Sequence, residues 1–263
     1  MVEFFDSDGV RVAYLDVAPL GPQRAQPILL IHGFASNLRV NWVATGGVEA
    51  LCKSGRRVVA FDNRGHGESA KRYDPAAYRC EMMARDALNL IDRLGLPRVD
   101  AMGYSMGARI AAFLALAAPG RVRRLILGGV GDRLIDGVGL PVEIASAMEA
   151  RSLADLVDPK QRMFRAFADR VGTDRAALAA CIRGSRQTLS EADLRRIACP
   201  TLAAVGTRDE AAGDPRRLAA LLPQGRAFDI PRRGHNPAVG DNSFKAAVLA
   251  FLDEDADASF AAQ

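Results

Sequence analysis

Gly103-Tyr104-Ser105-Met106-Gly107 is the stretch from which the fold is read. The strand-like run Arg98-Val99-Asp100-Ala101-Met102 leads into it, and the helix-like run Ala108 to Ala117 leads out. A G-x-S-x-G sequence between a strand and a helix has the context of a nucleophile elbow. A serine at the tip of so tight a turn has a strained backbone, and its hydroxyl stands clear of the sheet. The residues two before and two after it come close together, and glycine, without a Cβ, fits both places. The following helix turns its amide-rich end toward the serine, where developing negative charge can be met.

An activated serine needs a base. The chain has three histidines, His32, His66 and His235. In the chain order nucleophile, acid, base, only His235 lies downstream of Ser105. It sits in the loop Pro231 to Pro237, after the strand-like run Arg226-Ala227-Phe228-Asp229-Ile230 and before a helix-like run, Ser243 to Leu252. The base needs an orienting acid at a strand end. Thr201-Leu202-Ala203-Ala204-Val205 reads as a buried strand that runs into Gly206-Thr207-Arg208-Asp209-Glu210. Asp209 is therefore the first candidate to accept the imidazole Nδ1–H and to stabilise the imidazolium. Asp132, just past the strand Leu125-Ile126-Leu127, is the second candidate. Glu210 and Asp214 read as solvated loop carboxylates.

A tetrahedral intermediate needs two donors for its oxyanion. One is the amide after the nucleophile, Met106. The other comes from the loop after an early strand. Pro27-Ile28-Leu29-Leu30-Ile31 is a short apolar run that leads into His32-Gly33-Phe34. Gly33 permits a sharp turn that faces the Phe34 amide to the serine, and His32 reads as a structural histidine beneath the loop. Phe34, Tyr104 and Trp42 are candidates to contact substrate.

The chain resembles the α/β-hydrolase superfamily over nearly its whole length. The resemblance rests on His32-Gly33-Phe34, Asp62-Asn63-Arg64-Gly65-His66-Gly67-Glu68-Ser69, Gly103 to Gly107, Gly206 to Asp209, and Gly234-His235, in that order. It implies the α/β-hydrolase fold, a Ser105–His235–Asp209 triad and chemistry without a cofactor. It does not fix the substrate, because one scaffold serves many reactions. The expected activity is cleavage of small to medium apolar esters. Lactones, thioesters, peracid formation and carbon–carbon bonds are alternatives on the same triad, and a non-catalytic binding protein is the alternative from another class. A serine at the elbow argues against dehalogenases and epoxide hydrolases of this fold, which place an aspartate there.

Gly65-His66-Gly67-Glu68-Ser69-Ala70 also matches the looser dinucleotide pattern G-x-G-x-x-A. That pattern needs a helix to begin at once. Here Lys71-Arg72-Tyr73-Asp74-Pro75 follows, a poor helix start, so the stretch reads as a Gly-rich turn.

The 263 residues suit one compact domain with an insertion, or at most two small domains, and 49% of them are apolar. The net charge of +4 is spread over dispersed arginine pairs with no basic run, which argues against nucleic-acid binding. Cys52, Cys80, Cys181 and Cys199 show no paired or metal-ligand spacing. No metal is expected. The start lacks the plan of a signal peptide and no apolar run approaches a membrane span, so a cytoplasmic protein is expected. Oligomeric state is left open. Strand-like and helix-like segments alternate, which predicts an α/β fold: a mostly parallel central sheet with helices on both faces. The alternation breaks between Gly131 and Leu189, where Val142 to Ala150, Pro159 to Val171 and Asp174 to Arg183 are helix-like. The expected organisation is a core of residues 1–130 and 190–263 with a helical cap of residues 131–189. Most apolar cap residues, among them Met148, Leu153, Leu156, Met163, Phe164 and Phe167, read as packing, and a minority as pocket lining. The tail from Asp253 onward is expected to extend beyond the last helix.

Overall fold

The computed structural model describes residues 1–23, 25–137 and 139–254; Asp253, expected to begin the tail, still belongs to the last helix, and the tail from residue 255 onward falls outside the described residues. The strands are β1 Val2–Ser7, β2 Val10–Val17, β3 Ile28–Ile31, β4 Val58–Phe61, β5 Val99–Tyr104, β6 Val122–Gly128, β7 Thr201–Gly206 and β8 Gly225–Ile230. Among the described residues they form one eight-stranded sheet in the order β1-β2-β4-β3-β5-β6-β7-β8. The hairpin of β1 and β2 is antiparallel, as is its joint to β4; all pairings from β4 to β8 are parallel. The expected mostly parallel sheet is present.

Period-two alternation divides the strand side chains between two cores. Leu29, Ile31, Val59 and Phe61 face one, and Ile28, Leu30, Val58 and Ala60 face the other. That is why β3 and β4 are apolar at every position: each is covered on both sides. The helices are α1 Gly47–Lys53, α2 Cys80–Arg93, α3 Met106–Ala117, α4 Ile144–Glu149, α5 Pro159–Val171, α6 Arg175–Gly184, α7 Glu191–Arg195, α8 Pro215–Leu221, α9 His235–Ala238 and α10 Asn242–Asp253. α2, α3 and α8 cover the first core, and α1 and α10 cover the second.

Among the described residues between β6 and β7 no strand occurs. Local chemistry explains the helices there. Asp158 caps α5 with Pro159 in the first turn, and Gly172 closes it in the left-handed region at φ 73°. Asp174 caps α6, and Ser190 with Asp193 forms a capping box at α7. α4 packs on α5 and α6, and α6 rests on the 3-10 turn Pro75–Tyr78.

Three elements differ from the sequence reading. β1 was not anticipated: it is an edge strand whose outward residues are acidic or exposed, but the Asp8-Gly9 turn, at φ 50° and 79°, is the two-residue hairpin signal that creates it. α8 begins at the Asp214 cap with Pro215 behind it, so Asp214 is a helix cap rather than a free loop carboxylate. His235, read as a loop residue, opens the single turn α9, which tolerates Pro237 within its first turn. At Gly65 to Ala70 no helix begins; Gly65 N–H donates to Ala70 O, and the loop wraps Asp62, whose carboxylate accepts from Leu38 N and Glu68 N. No described helix is long and apolar enough to cross a membrane.

Candidate active site

The carboxyl ends of the parallel strands gather at one edge of the sheet, where open α/β folds present their sites. Ser105 joins β5 to α3 with φ 54° and ψ −114°, a conformation that side chains other than glycine rarely hold. The flanking glycines make it possible. A Cβ on Gly103 would lie 2.1 Å from Gly107 O, and one on Gly107 would lie 2.0 Å from Ile31 O. Any side chain at either place would push α3 off the sheet.

Asp209 and His235 come from the neighbouring strand ends. Thr207 N–H donates to Ile230 O, Arg208 N–H to Arg233 O, and Arg232 N–H to Thr207 Oγ1. These bonds stitch the loop after β7 to the loop after β8. His235 Nδ1 lies 2.7 Å from Asp209 Oδ2, and His235 Nε2 lies 2.8 Å from Ser105 Oγ. Asp209 Oδ1 accepts the amides of Ala211 and Ala212 at 3.0 and 3.2 Å. A carboxylate only accepts, so Nδ1 carries the proton, and Nε2 of the neutral ring is left to accept from the serine. The Asp209 side chain is fully buried, while His235 keeps about a fifth of its side chain exposed. Asp132 is elsewhere: its carboxylate accepts Asp214 N–H and pairs with Arg217. Glu210 is exposed.

Tyr104 lines the cleft but is buried, and its hydroxyl donates to His235 O at 2.5 Å. It therefore braces the histidine. Burial, and secondarily the Asp209 charge, pushes the phenol well above its ordinary value. The Phe34 and Met106 amides have no hydrogen-bond partner among the described residues, and both residues line the cleft together with Ser105. Phe34 forms a wall beside Phe164, ring centres 6.2 Å apart.

Trp42, expected at the substrate, does not line the cleft. It is 1% exposed and sits with Leu38, Leu51, Met102 and Phe244 in the core beneath the sheet, outside the cleft lining. The cause is the π-helical turn Arg39–Val43, closed by Ala44 N–H to Arg39 O. Successive side chains on a helical turn point in different directions, so Val40 and Asn41 reach the cleft while Trp42 turns inward. Asn41 was missed by sequence reading. Its Oδ1 accepts Gly33 N–H at 3.3 Å, which fixes the amide orientation, and its buried Nδ2 has no partner. Asn41 itself is part of the cleft lining. Proximity to the His-Gly-Phe loop was the only signal in the sequence.

The cleft has a volume of about 420 Å³. Val130, Phe164, Phe167 and Ile182 give it apolar walls, the last three of them contributed by α5 and α6. Of the apolar residues named in that stretch, Phe164 and Phe167 line the cleft, Met148 is core, and Met163 is exposed. His32 accepts Asn63 N–H through Nε2 beneath the loop, and burial pushes it down to about 4. Among the described residues no group of three or more His, Cys, Asp or Glu side chains could hold a metal ion.

A family model described as the alpha/beta hydrolase fold matches residues 26–176, and the chain belongs to that family. It is 29% identical over 260 residues to a protein assigned as carbamate hydrolase RutD of Variovorax paradoxus, covering 88% of this chain and 93% of that one. It is 28% identical to rhodomycin D methylesterase DauP of a Streptomyces species, covering 82% and 87% of the two chains. A solved hydrolase from Pseudomonas aeruginosa is 27% identical with a TM-score of 0.76, over 95% of this chain and 98% of that one.

Proposed function

We propose that the chain is a serine hydrolase that cleaves small to medium apolar carboxylic esters through an acyl-enzyme. The observation that carries this reading is the continuous Asp209–His235–Ser105 hydrogen-bond chain, at 2.7 and 2.8 Å. Ser105 Oγ attacks the ester carbonyl as its proton passes to His235 Nε2. The carbonyl oxygen becomes an oxyanion held by the Phe34 and Met106 amides. The intermediate collapses; the carbon–oxygen bond to the alcohol breaks, and His235 returns the proton to the departing alkoxide. Water repeats the sequence on the acyl-enzyme, giving up its proton to His235 and releasing the acid. No step uses a metal or a cofactor.

Residues 131–189 act as a cap in this reading, because α5 and α6 supply Phe164, Phe167 and Ile182 to the cleft wall. The volume and apolar walls support substrates of modest size. The names borne by the relatives, a carbamate hydrolase and a methylesterase, describe carbonyls that carry a heteroatom leaving group, which suits the same attack. The test is turnover of p-nitrophenyl esters of rising acyl length by the parent and by Ser105→Ala. The parent should be fastest on short to medium acyl chains, and the variant should lose about four decades of rate or more. Retention of more than a few per cent of activity in the variant would overturn the assignment.

A further inference from the structure

The cleft carries charge that hydrolysis of a neutral ester does not use. Arg109, Arg133 and Arg170 line it, and no carboxylate does; Asp209 stands behind His235. Elsewhere in the described chain arginines are commonly neutralised, as in Arg57 with Asp16, Arg64 with Asp86, Arg123 with Asp100 and Arg183 with Glu149. Arg133 and Arg170 have no carboxylate partner among the described residues; Arg170 lies over the Phe167 ring, 5.4 Å from its centre. Arg109 is only 4% exposed. Its terminal nitrogens donate to the carbonyls of Leu134, Gln187, Arg133 and Gly137, which orient the guanidinium without neutralising it. It is a fixed positive charge in the wall, one turn along α3 from Ser105, in surroundings where water screens poorly. Asn41, also in the lining, has a buried Nδ2 without a partner among the described residues. A lining with three cations and no anion is complementary to an anion.

We propose that the substrate carries a carboxylate at the end of an apolar arm, lying along the Arg109–Arg133–Arg170 side of the cleft, in addition to the carbonyl presented to Ser105. A carboxylate matches the planar guanidinium fork, and the Phe164 and Phe167 walls suit the methylenes that join the two groups. Arg133 and Arg170 are the ligands and Arg109 supplies the background charge. The place of this arm in a reaction rests on the hydrolase reading; its binding does not.

The experiment therefore separates the two. Calorimetry on the Ser105→Ala protein compares monomethyl adipate with dimethyl adipate, which differ in one charge. The half ester should bind about tenfold more tightly at low salt, a modest figure because two of the three cations are partly solvated. Raised salt, Arg133→Gln and Arg170→Gln should each shrink that ratio. Equal affinity for the two esters, or an unchanged ratio in both arginine variants, would overturn the proposal. A parent protein that hydrolyses neither ester while Ser105→Ala keeps the binding preference would count against ester hydrolysis and leave the carboxylate site standing.

Discussion

For single residues, what each oxygen of Asp209 faces decides the tautomer of His235. Oδ1 is committed to the Ala211 and Ala212 amides, so Oδ2 alone meets His235. An asparagine there must keep its oxygen toward those amides and turn its NH2 toward His235 Nδ1. The imidazole would then accept at Nδ1, carry its proton on Nε2 and be unable to take one from Ser105. Asp209→Asn should lower kcat about 10⁴-fold on a p-nitrophenyl ester, whereas Asp132→Asn, which still accepts Asp214 N–H, should stay within a few fold. The opposite ranking would move the acid to the earlier strand. Ser105, His235 and Asp209 were legible because strand ends and chain order limit where a triad can form. Trp42 and Asn41 were not, because one π-turn decides which of two adjacent side chains faces the cleft, and no periodicity in the sequence marks that turn.

At the scale of elements, the strand-like runs of β3, β5 and β7 and the helix-like stretches of α5 and α6 were plain in the sequence. β1 was hidden by its exposed, acidic outer face, and α8 by its shortness. The loops after β3 and β4 hold a less visible device. They bury His32 and His66 with ring centres 5.2 Å apart. Burial pushes His32 from the usual 6.5 down to about 4, and burial plus the neighbouring His32 charge pushes His66 down to about 3. Both are neutral in the fold, and both take a proton in the unfolded chain once the pH drops below about 6.5. The unfolded state then binds up to two more protons, so stability is full above that pH and is lost as the pH falls toward 4. The slope attributable to the pair approaches about 2.7 kcal/mol per pH unit. Thermal unfolding between pH 7.5 and 4.5 should show a plateau, then a steep fall, and His66→Gln should make the fall shallower. A Tm that is level across this range would mean that the two rings are not held neutral.

At the scale of the whole molecule, one edge of the parallel sheet collects the parts. β3 supplies the Gly33–Phe34 loop, β5 the serine, β7 the acid and β8 the base, while the segment between β6 and β7 supplies much of the wall. The alternation of strands and helices made this arrangement legible. The cleft's charge was not legible, since Arg109, Arg133 and Arg170 are far apart in sequence and no motif links them. The central claim is that this assembly activates Ser105 and no other serine. It is tested most directly by treating the folded protein with a fluorophosphonate and locating the adduct by peptide mass spectrometry. A single adduct is expected on the peptide that contains Ser105, lost or greatly slowed in His235→Ala. No adduct on the folded parent, an adduct on a different residue, or labelling of His235→Ala at the parent's rate would contradict it.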